Sequence, residues 1–202
     1  MVETMRSIAL LACLGSVASA DTLRMQSEDA ETVHIGNHEG AINTHNSAAI
    51  TVELQANGRA AVKATGSNKE HNLWVSQSGS RSTDDSTVWT TTWKGTWVLA
   101  KDTLTLDLTL EKHDCTSQRD EDGRIEPHGT CLTASKAAKL TCTTQKISIQ
   151  KDAKPAHDID GWICTSAEKT ELAESGRTWR FGKQQCVKQR GGHRSPLSWV
   201  DC

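Results

Sequence analysis

Residues 88–112 read VWTTTWKGTWVLAKDTLTLDLTLEK, and this stretch decides the fold class. Its second half alternates leucine with polar residues at a period of two, which is typical of a strand with one buried face. In its first half, Trp89, Trp93 and Trp97 recur four residues apart among threonines, a composition that favours a strand over a helix. With a turn at residues 101–102, the two strands form a hairpin whose indoles share the leucine face. We therefore predict that this face is core and that the opposite, polar face is solvated.

The register of this hairpin can be predicted as well. A turn of two or of four residues gives the same parity, so the apolar side chains of the two strands lie opposite one another in either case. The predicted cross-strand pairs are Leu99 with Leu104, Trp97 with Leu106, Gly95 with Leu108 and Trp93 with Leu110.

A second hairpin precedes the first one. Residues 50–54 and residues 60–64 each alternate apolar with other side chains, and Ala56-Asn57-Gly58 lies between them. A three-residue loop, with its glycine in the left-handed region, pairs Leu54 with Ala60. A two-residue loop would instead set an apolar residue against an acid. We therefore predict the longer loop.

The remaining segments are short and rich in turn residues. Strand-like runs occur at residues 140–150, 161–165, 178–181 and 186–189. Residues 76–86 are interpreted as a surface loop, and residues 168–175 are the only candidate for a short helix. Such a series of short strands predicts an all-β fold, either an antiparallel barrel or a sandwich.

The composition is that of one domain with an unusual set of aromatic residues. The 202 residues carry 23 basic and 25 acidic side chains and include seven tryptophans, one phenylalanine and no tyrosine. Residues 177–202 hold six basic residues and one acid. Because the whole chain is nearly neutral, we interpret this excess as a balance to the acidic segment near the N-terminus, and no nucleic-acid partner is expected.

The N-terminus has the features of a secretory signal peptide. An apolar run at residues 8–17 follows Arg6 and precedes Ala18-Ser19-Ala20, a small-x-small cleavage pattern. The run is too short to span a bilayer and no later stretch is long enough, so no transmembrane segment is expected. A lipoprotein signal ending at Cys13 is the rival interpretation. We predict a signal peptide at residues 1–20, a polar, extended or partly disordered lead-in at residues 21–46 and a single β domain at residues 47–202 of a secreted monomer, which in a bacterium would be periplasmic.

Cleavage of the signal peptide would leave six cysteines, all in the second half of the chain. An even number of cysteines in a secreted chain predicts disulfides, here with 15 alternative connectivities. Sequential pairing is the simplest of them and makes residues 152–202 a disulfide-linked C-terminal part. It joins Cys115 to Cys131, Cys142 to Cys164 and Cys186 to Cys202.

One motif resembles a known family. Gly95-Thr96-Trp97, followed after a short turn by residues 102–106, is similar to the Gly-x-Trp motif and hairpin of lipocalin-like (calycin-type) β-barrels. In that family the motif opens the first barrel strand, whereas here at least two predicted strands precede it. The resemblance implies an up-and-down barrel that encloses a small apolar ligand.

The three hairpin tryptophans are the candidate ligand-binding residues. Aromatic side chains on one strand face can form a platform for sugar rings, so Trp89, Trp93 and Trp97 suggest a carbohydrate site. Their position on the leucine face favours core packing instead, because burial of an indole removes a large apolar surface from water. The wall of a barrel lumen is the intermediate case.

Two segments share the pattern Asp-x-Asp-Gly-x-Ile, at residues 120–125 and 158–163. The pattern matches the middle of an EF-hand loop, but both segments lack its first ligand and its bidentate last one. Asp-Gly is also a favoured hairpin turn, which explains the pattern without a metal. The candidate Ca²⁺ ligands are Asp120, Asp122 and Glu126, and no other cofactor is expected.

No nucleophile elbow, phosphate-binding loop or dinucleotide fingerprint occurs in the sequence, so we do not expect an enzyme. The sequence favours a secreted binding module for a small apolar molecule, a glycan or an extracellular protein. One alternative is an inhibitor that presents the disulfide-framed loop at residues 116–130. A further alternative is a Ca²⁺-dependent carbohydrate-active protein.

Overall fold

The structure is a computed structural model that describes residues 20–35, 40–129, 131, 133–149, 157–166, 178–182, 186–190 and 198–200. All regular elements in these residues are β-strands. No helix long and apolar enough to cross a membrane occurs among them. The strands are β1 (Asp21–Ile35), β2 (Gly40–Leu54), β3 (Arg59–Ser76), β4 (Gly79–Ala100), β5 (Thr103–Glu121), β6 (Arg124–Pro127), β7 (Ala137–Ile149), β8 (His157–Ser166), β9 (Thr178–Gly182), β10 (Cys186–Arg190) and β11 (Ser198–Val200).

Eight of these strands form a nearly closed antiparallel barrel. Their order is β1-β2-β3-β4-β5-β7-β8-β9, and β9 returns to β1 where Arg24 lies opposite Gly182. Beyond that point β10 pairs in parallel with β1, and β11 pairs with β10. Closure removes the free edges that an open sheet would expose. Of the two predicted architectures, the structure is therefore the barrel.

The predicted registers of both hairpins are confirmed. All four predicted pairs of the β4–β5 hairpin occur, from Leu99 with Leu104 to Trp93 with Leu110. Leu54 lies opposite Ala60, and Gly58 has a φ of 76° in the three-residue loop between them. Hydrophobic alternation thus determined the pairing in the part of each hairpin that has one buried face.

The Trp/Leu face of the β4–β5 hairpin is the centre of the core. Trp93, Leu104, Leu106 and Leu108 are each 0% exposed, and Phe181, the one phenylalanine of the chain, packs with them. Aliphatic side chains of β2 and β3 belong to the same cluster, together with buried residues of β1, β7 and β8. At the turn Leu99 is an exception, since it is largely exposed. These side chains form one buried cluster in the barrel interior.

The Gly-x-Trp motif lies at the end of β4, the fourth strand. It therefore does not open the first barrel strand, as the motif does in lipocalins. A Cβ atom at Gly95 would lie 1.9 Å from the carbonyl oxygen of Asp107, and only glycine permits this close approach of β5. Trp97 is buried, and its Nε1 donates a hydrogen bond to Gln55 O at 2.9 Å. The motif thus joins the end of β4 to β5 and to the loop between β2 and β3.

Two of the predicted disulfides are present. Cys115 is bonded to Cys131, and Cys142 to Cys164, with Cα–Cα distances of 5.8 and 3.9 Å. The second pair bridges directly opposite residues of β7 and β8 and is buried in the core. The predicted bond between Cys186 and Cys202 lies outside the residues whose side chains the structure describes.

Strands β2 to β5 continue well beyond the barrel. We call this part the sheet extension: residues 40–48 of β2, 66–76 of β3, 79–92 of β4 and 112–121 of β5, together with β6. The face that continues the barrel interior is the core face, and the opposite one is the outer face. Between Thr92 and Trp93 the register with β5 shifts, which leaves Glu111 without a residue opposite it. This β-bulge reverses which residues of β5 face the core side.

Three segments that were not expected as strands lie at least partly in strands of the structure. Residues 21–35 and 40–46, which belong to the segment expected as a polar, extended or partly disordered lead-in, lie in β1 and in the first half of β2. The loop predicted at residues 76–86 is a hairpin with its turn at residues 77–78. The disulfide-framed loop predicted at residues 116–130 contains the end of β5 and all of β6. The extension is exposed to solvent over much of both faces, so its strands carry polar side chains on both. The apolar/polar alternation from which a strand is predicted is therefore absent from these segments. The predicted signal peptide, the candidate helix at residues 168–175 and most of the basic C-terminal segment lie outside the described residues.

Candidate functional site

The predicted tryptophan site lies on the core face. Trp93 is 0% exposed and its Nε1 donates to Ser135 O at 3.4 Å, while Trp97 is 6% exposed. Trp89 is partly buried, and its ring covers Gly66, where a Cβ atom would lie 2.3 Å from the indole. Two of the three indoles are therefore interior packing groups, and none lies on the outer face. A ligand-binding role for them stays a prediction.

The β5–β6 hairpin keeps the predicted calcium ligands away from one another. Asp122 and Gly123 have φ values of 53° and 86° and form its two-residue turn, and Asp120 Oδ1 accepts a hydrogen bond from Gly123 N at 2.8 Å. Glu126 faces the opposite side of the sheet from Asp120 and pairs with Arg124 at 2.7 Å. Among the described residues, no group of three or more His, Cys, Asp or Glu side chains could hold a metal ion.

The second Asp-x-Asp-Gly segment has a different structure. Asp160 and Gly161 lie within β8, so the interpretation of this Asp-Gly as a turn is wrong. A Cβ atom at Gly161 would lie 2.5 Å from Phe181 O and 2.3 Å from Ile147 Cδ1. Glycine is required here by the close packing of neighbouring strands rather than by a bend.

A polar groove of about 580 Å³ lies on the outer face of the sheet extension. It runs across β2, β3, β4 and β5 along two adjacent rows of cross-strand neighbours. The first row is Asn43, His71, Asp84 and Asp120, and the second is His45, Lys69, Ser86 and Gln118.

The two rows differ in how their side chains are engaged. In the first row, His71 Nδ1 and Asp84 Oδ1 are hydrogen-bonded at 2.7 Å. In the second row, the side chains of Lys69, Ser86 and Gln118 make no hydrogen bond or ion pair with any part of the chain that the structure describes. They lie on three neighbouring strands, so one ammonium, one hydroxyl and one amide are free to contact a bound molecule.

Two exposed aliphatic side chains border the groove. Val88, two residues after Ser86 on the same face of β4, is 54% exposed. Ile125 of β6 lies directly opposite Asp120 and is 63% exposed. The polar groove therefore has one aliphatic side chain next to it on β4 and another on β6.

The core face behind the groove is fixed by an ion pair. Arg119 donates two hydrogen bonds to Asp85, each at 2.7 Å, and Thr87 and Ser117 are hydrogen-bonded at 2.8 Å in a nearby cross-strand pair on the same face. The hydrogen bonds from Arg119 hold the pKa of Asp85 below its ordinary value; the charges of Arg119 and His128 act in the same direction, and partial burial opposes them. Charge-assisted, bidentate pairs of this kind fix the relative position of β4 and β5.

This ion pair makes the stability of the protein depend on pH. Because the pKa of Asp85 is lower in the folded state, its contribution is fully present above the ordinary carboxyl pKa of about 3.9 and is lost as the pH falls through the lower, folded value. We expect Asp85→Asn to lower the free energy of unfolding at pH 7, and we expect this deficit to be smaller at pH 3, below the ordinary carboxyl pKa. Urea unfolding at both pH values, followed by tryptophan fluorescence, measures the difference. Asp107→Asn, an exposed position on the outer face of β5, is the control, and an equal deficit at both pH values would contradict the assignment.

The groove could not be found from the sequence. Apart from Lys69 and His71, the residues of its two rows come from segments expected as a lead-in, a surface loop and a disulfide-framed loop, and they come together only because the consecutive strands β2 to β5 pair along most of their length. The chain matches no protein-family model, and comparisons with curated proteins and with solved structures find no significant similarity. The nearly closed barrel is compatible with a lipocalin-like architecture, and the candidate site rests on geometry alone.

Proposed function

We propose that this protein is a secreted, non-enzymatic binding module and that its site is the groove on the outer face of the sheet extension. The observation that carries the proposal is the row of Lys69, Ser86 and Gln118, whose side chains are aligned across three strands without a partner among the described residues. Preformed concave sites with a few convergent polar groups are the usual form of ligand pockets.

A groove site differs from the lumen site that the lipocalin resemblance implies. The lumen would require space among Trp93, Trp97 and the leucines of β5, but these side chains pack against one another in a single buried cluster. A ligand that entered there would have to displace well-packed core groups, which costs free energy because the dispersion attraction among those groups is forfeited. The groove requires no such displacement.

Resolved NMR signals can separate the two sites. The indole N–H groups of Trp93 and Trp97 report on the interior, and the backbone amides of residues 69, 86 and 118 report on the groove. We expect a ligand selected from lipid, sugar and peptide panels to shift the groove amides and to leave both indole signals in place. Shifts confined to the indole signals would place the ligand in the lumen and contradict the proposal.

A further inference from the structure

We infer that the groove binds a short neutral oligosaccharide of two or three pyranose units; this inference rests on the proposed function. The size of the groove is the first reason. Four strands spaced about 4.8 Å apart give each row a length of about 14 Å. The volume of about 580 Å³ lies in the range of sites that hold small organic ligands.

The charges of the groove select against a strongly charged ligand. Lys69 is the one lysine or arginine among the lining residues, against four acids: Asp84 and Asp120 of the first row, and Glu70 and Asp85 at the alternate, core-face positions, where they bind Asn72 and Arg119. Asp84 already binds His71, and Asp120 accepts a hydrogen bond from Gly123 N. A polyanion would meet these carboxylates, and a polycation would meet the ammonium of Lys69. A neutral polar molecule avoids the cost of placing like charges together.

The polar side chains of the groove are suited to bind the hydroxyl groups of a sugar. A sugar hydroxyl both donates and accepts hydrogen bonds. Three side chains of the second row offer a donor only (Lys69), a group that does both through one oxygen (Ser86) and an amide with separate donor and acceptor (Gln118). The carboxylate oxygens of the first row add acceptors. An apolar ligand would leave these groups desolvated and unpaired.

The two aliphatic side chains beside the groove are suited to the apolar faces of a sugar ring. A pyranose ring has polar edges and two faces of C–H groups. Val88 and Ile125 border the polar rows on β4 and β6, where they can cover such faces while the polar rows bind the hydroxyls. Burial of their exposed apolar surface then favours binding.

Calorimetric titration of the full secreted chain tests the inference. The probes are neutral trisaccharides (maltotriose, cellotriose and triacetylchitotriose), an anionic trisaccharide (trigalacturonate) and neutral tripeptides. We expect at least one neutral trisaccharide to bind, and Ser86→Ala and Gln118→Ala each to weaken it about three- to tenfold, which corresponds to the loss of one hydrogen bond. Neither side chain has a partner among the described residues, so both variants should keep the stability of the wild type. Thr109→Ala, at an exposed position on the outer face of β5 in the barrel, is the matched control and should bind as the wild type does.

The outcomes separate the two proposals. Binding of only the anionic sugar or only a peptide, with shifts at the groove amides, would overturn the neutral-sugar inference and leave the groove as the site. Sugar binding that is unchanged in Ser86→Ala and Gln118→Ala would overturn it as well. If no probe of any class shifts the amides of residues 69, 86 and 118, the proposed function itself fails.

Discussion

Replacement of Trp93 by alanine is expected to lower the free energy of unfolding by about 3–5 kcal/mol, the usual cost of removing a large aromatic side chain from a core. Trp93 is 0% exposed and packs in the main cluster, to which all eight barrel strands contribute side chains. The neighbours belong to a nearly closed barrel, so they cannot collapse freely into the space left by the indole. The variant also leaves Ser135 O without its indole donor.

Trp74→Ala is the matched control for this prediction, because Trp74 is 50% exposed on the sheet extension. Its loss should change the free energy of unfolding by less than about 1 kcal/mol. Equilibrium urea unfolding, followed by far-UV circular dichroism because both variants alter the fluorescence, gives the two values. Equal losses would show that the barrel interior is not the main stabilising core.

The buried disulfide is expected to contribute more than the half-buried one. Cys142 and Cys164 are 22 residues apart in sequence, and Cys115 and Cys131 are 16 apart. The chain-entropy contributions of these two loops differ by only about 0.3 kcal/mol, so each bond should contribute about 3 kcal/mol from this source. Cys142 and Cys164 also pack within the main cluster, and their replacement by alanine removes two buried sulfur atoms and leaves a cavity.

We therefore expect the double variant Cys142→Ala/Cys164→Ala to lose about 4–5 kcal/mol, against about 3 kcal/mol for Cys115→Ala/Cys131→Ala. Thermal unfolding of the two double variants under the same conditions gives the comparison. In the native protein, a low concentration of dithiothreitol should reduce the half-buried bond first, as mass spectrometry of alkylated thiols would detect. Equal stability of the two double variants would show that packing around the buried bond adds nothing to its loop contribution.

Much of the fold could be predicted because each strand of the barrel has one buried face and one exposed face. Along residues 50–64 and 93–110, apolar side chains alternate with others, and a shift by one residue would turn every apolar group to solvent. The predicted pairs, the Gly58 loop and two of the disulfides follow from this alternation and from the simplest pairing of the cysteines, and the structure confirms them.

The candidate site could not be predicted for two reasons. In the sheet extension both faces carry polar side chains, so hydrophobic periodicity is absent and residues 76–86 were expected to form a loop. The second reason is the β-bulge at Glu111. Continued alternation from Leu110 would place Gln118 on the core face, whereas the bulge turns it to the outer face, into the groove.

By itself, the sequence determined the local properties of this protein: strands, turns, the Trp/Leu core face and the register of two hairpins. Each of these depends on residues close together in the chain and on the gain from removing apolar surface from water. Only the tertiary structure decided that the sheet closes through Arg24 and Gly182 and that Lys69, Ser86 and Gln118 form one row. The first contact joins residues far apart in sequence, and the row lies in polar stretches of consecutive strands, where no hydrophobic alternation indicates that the strands continue or in which register they pair.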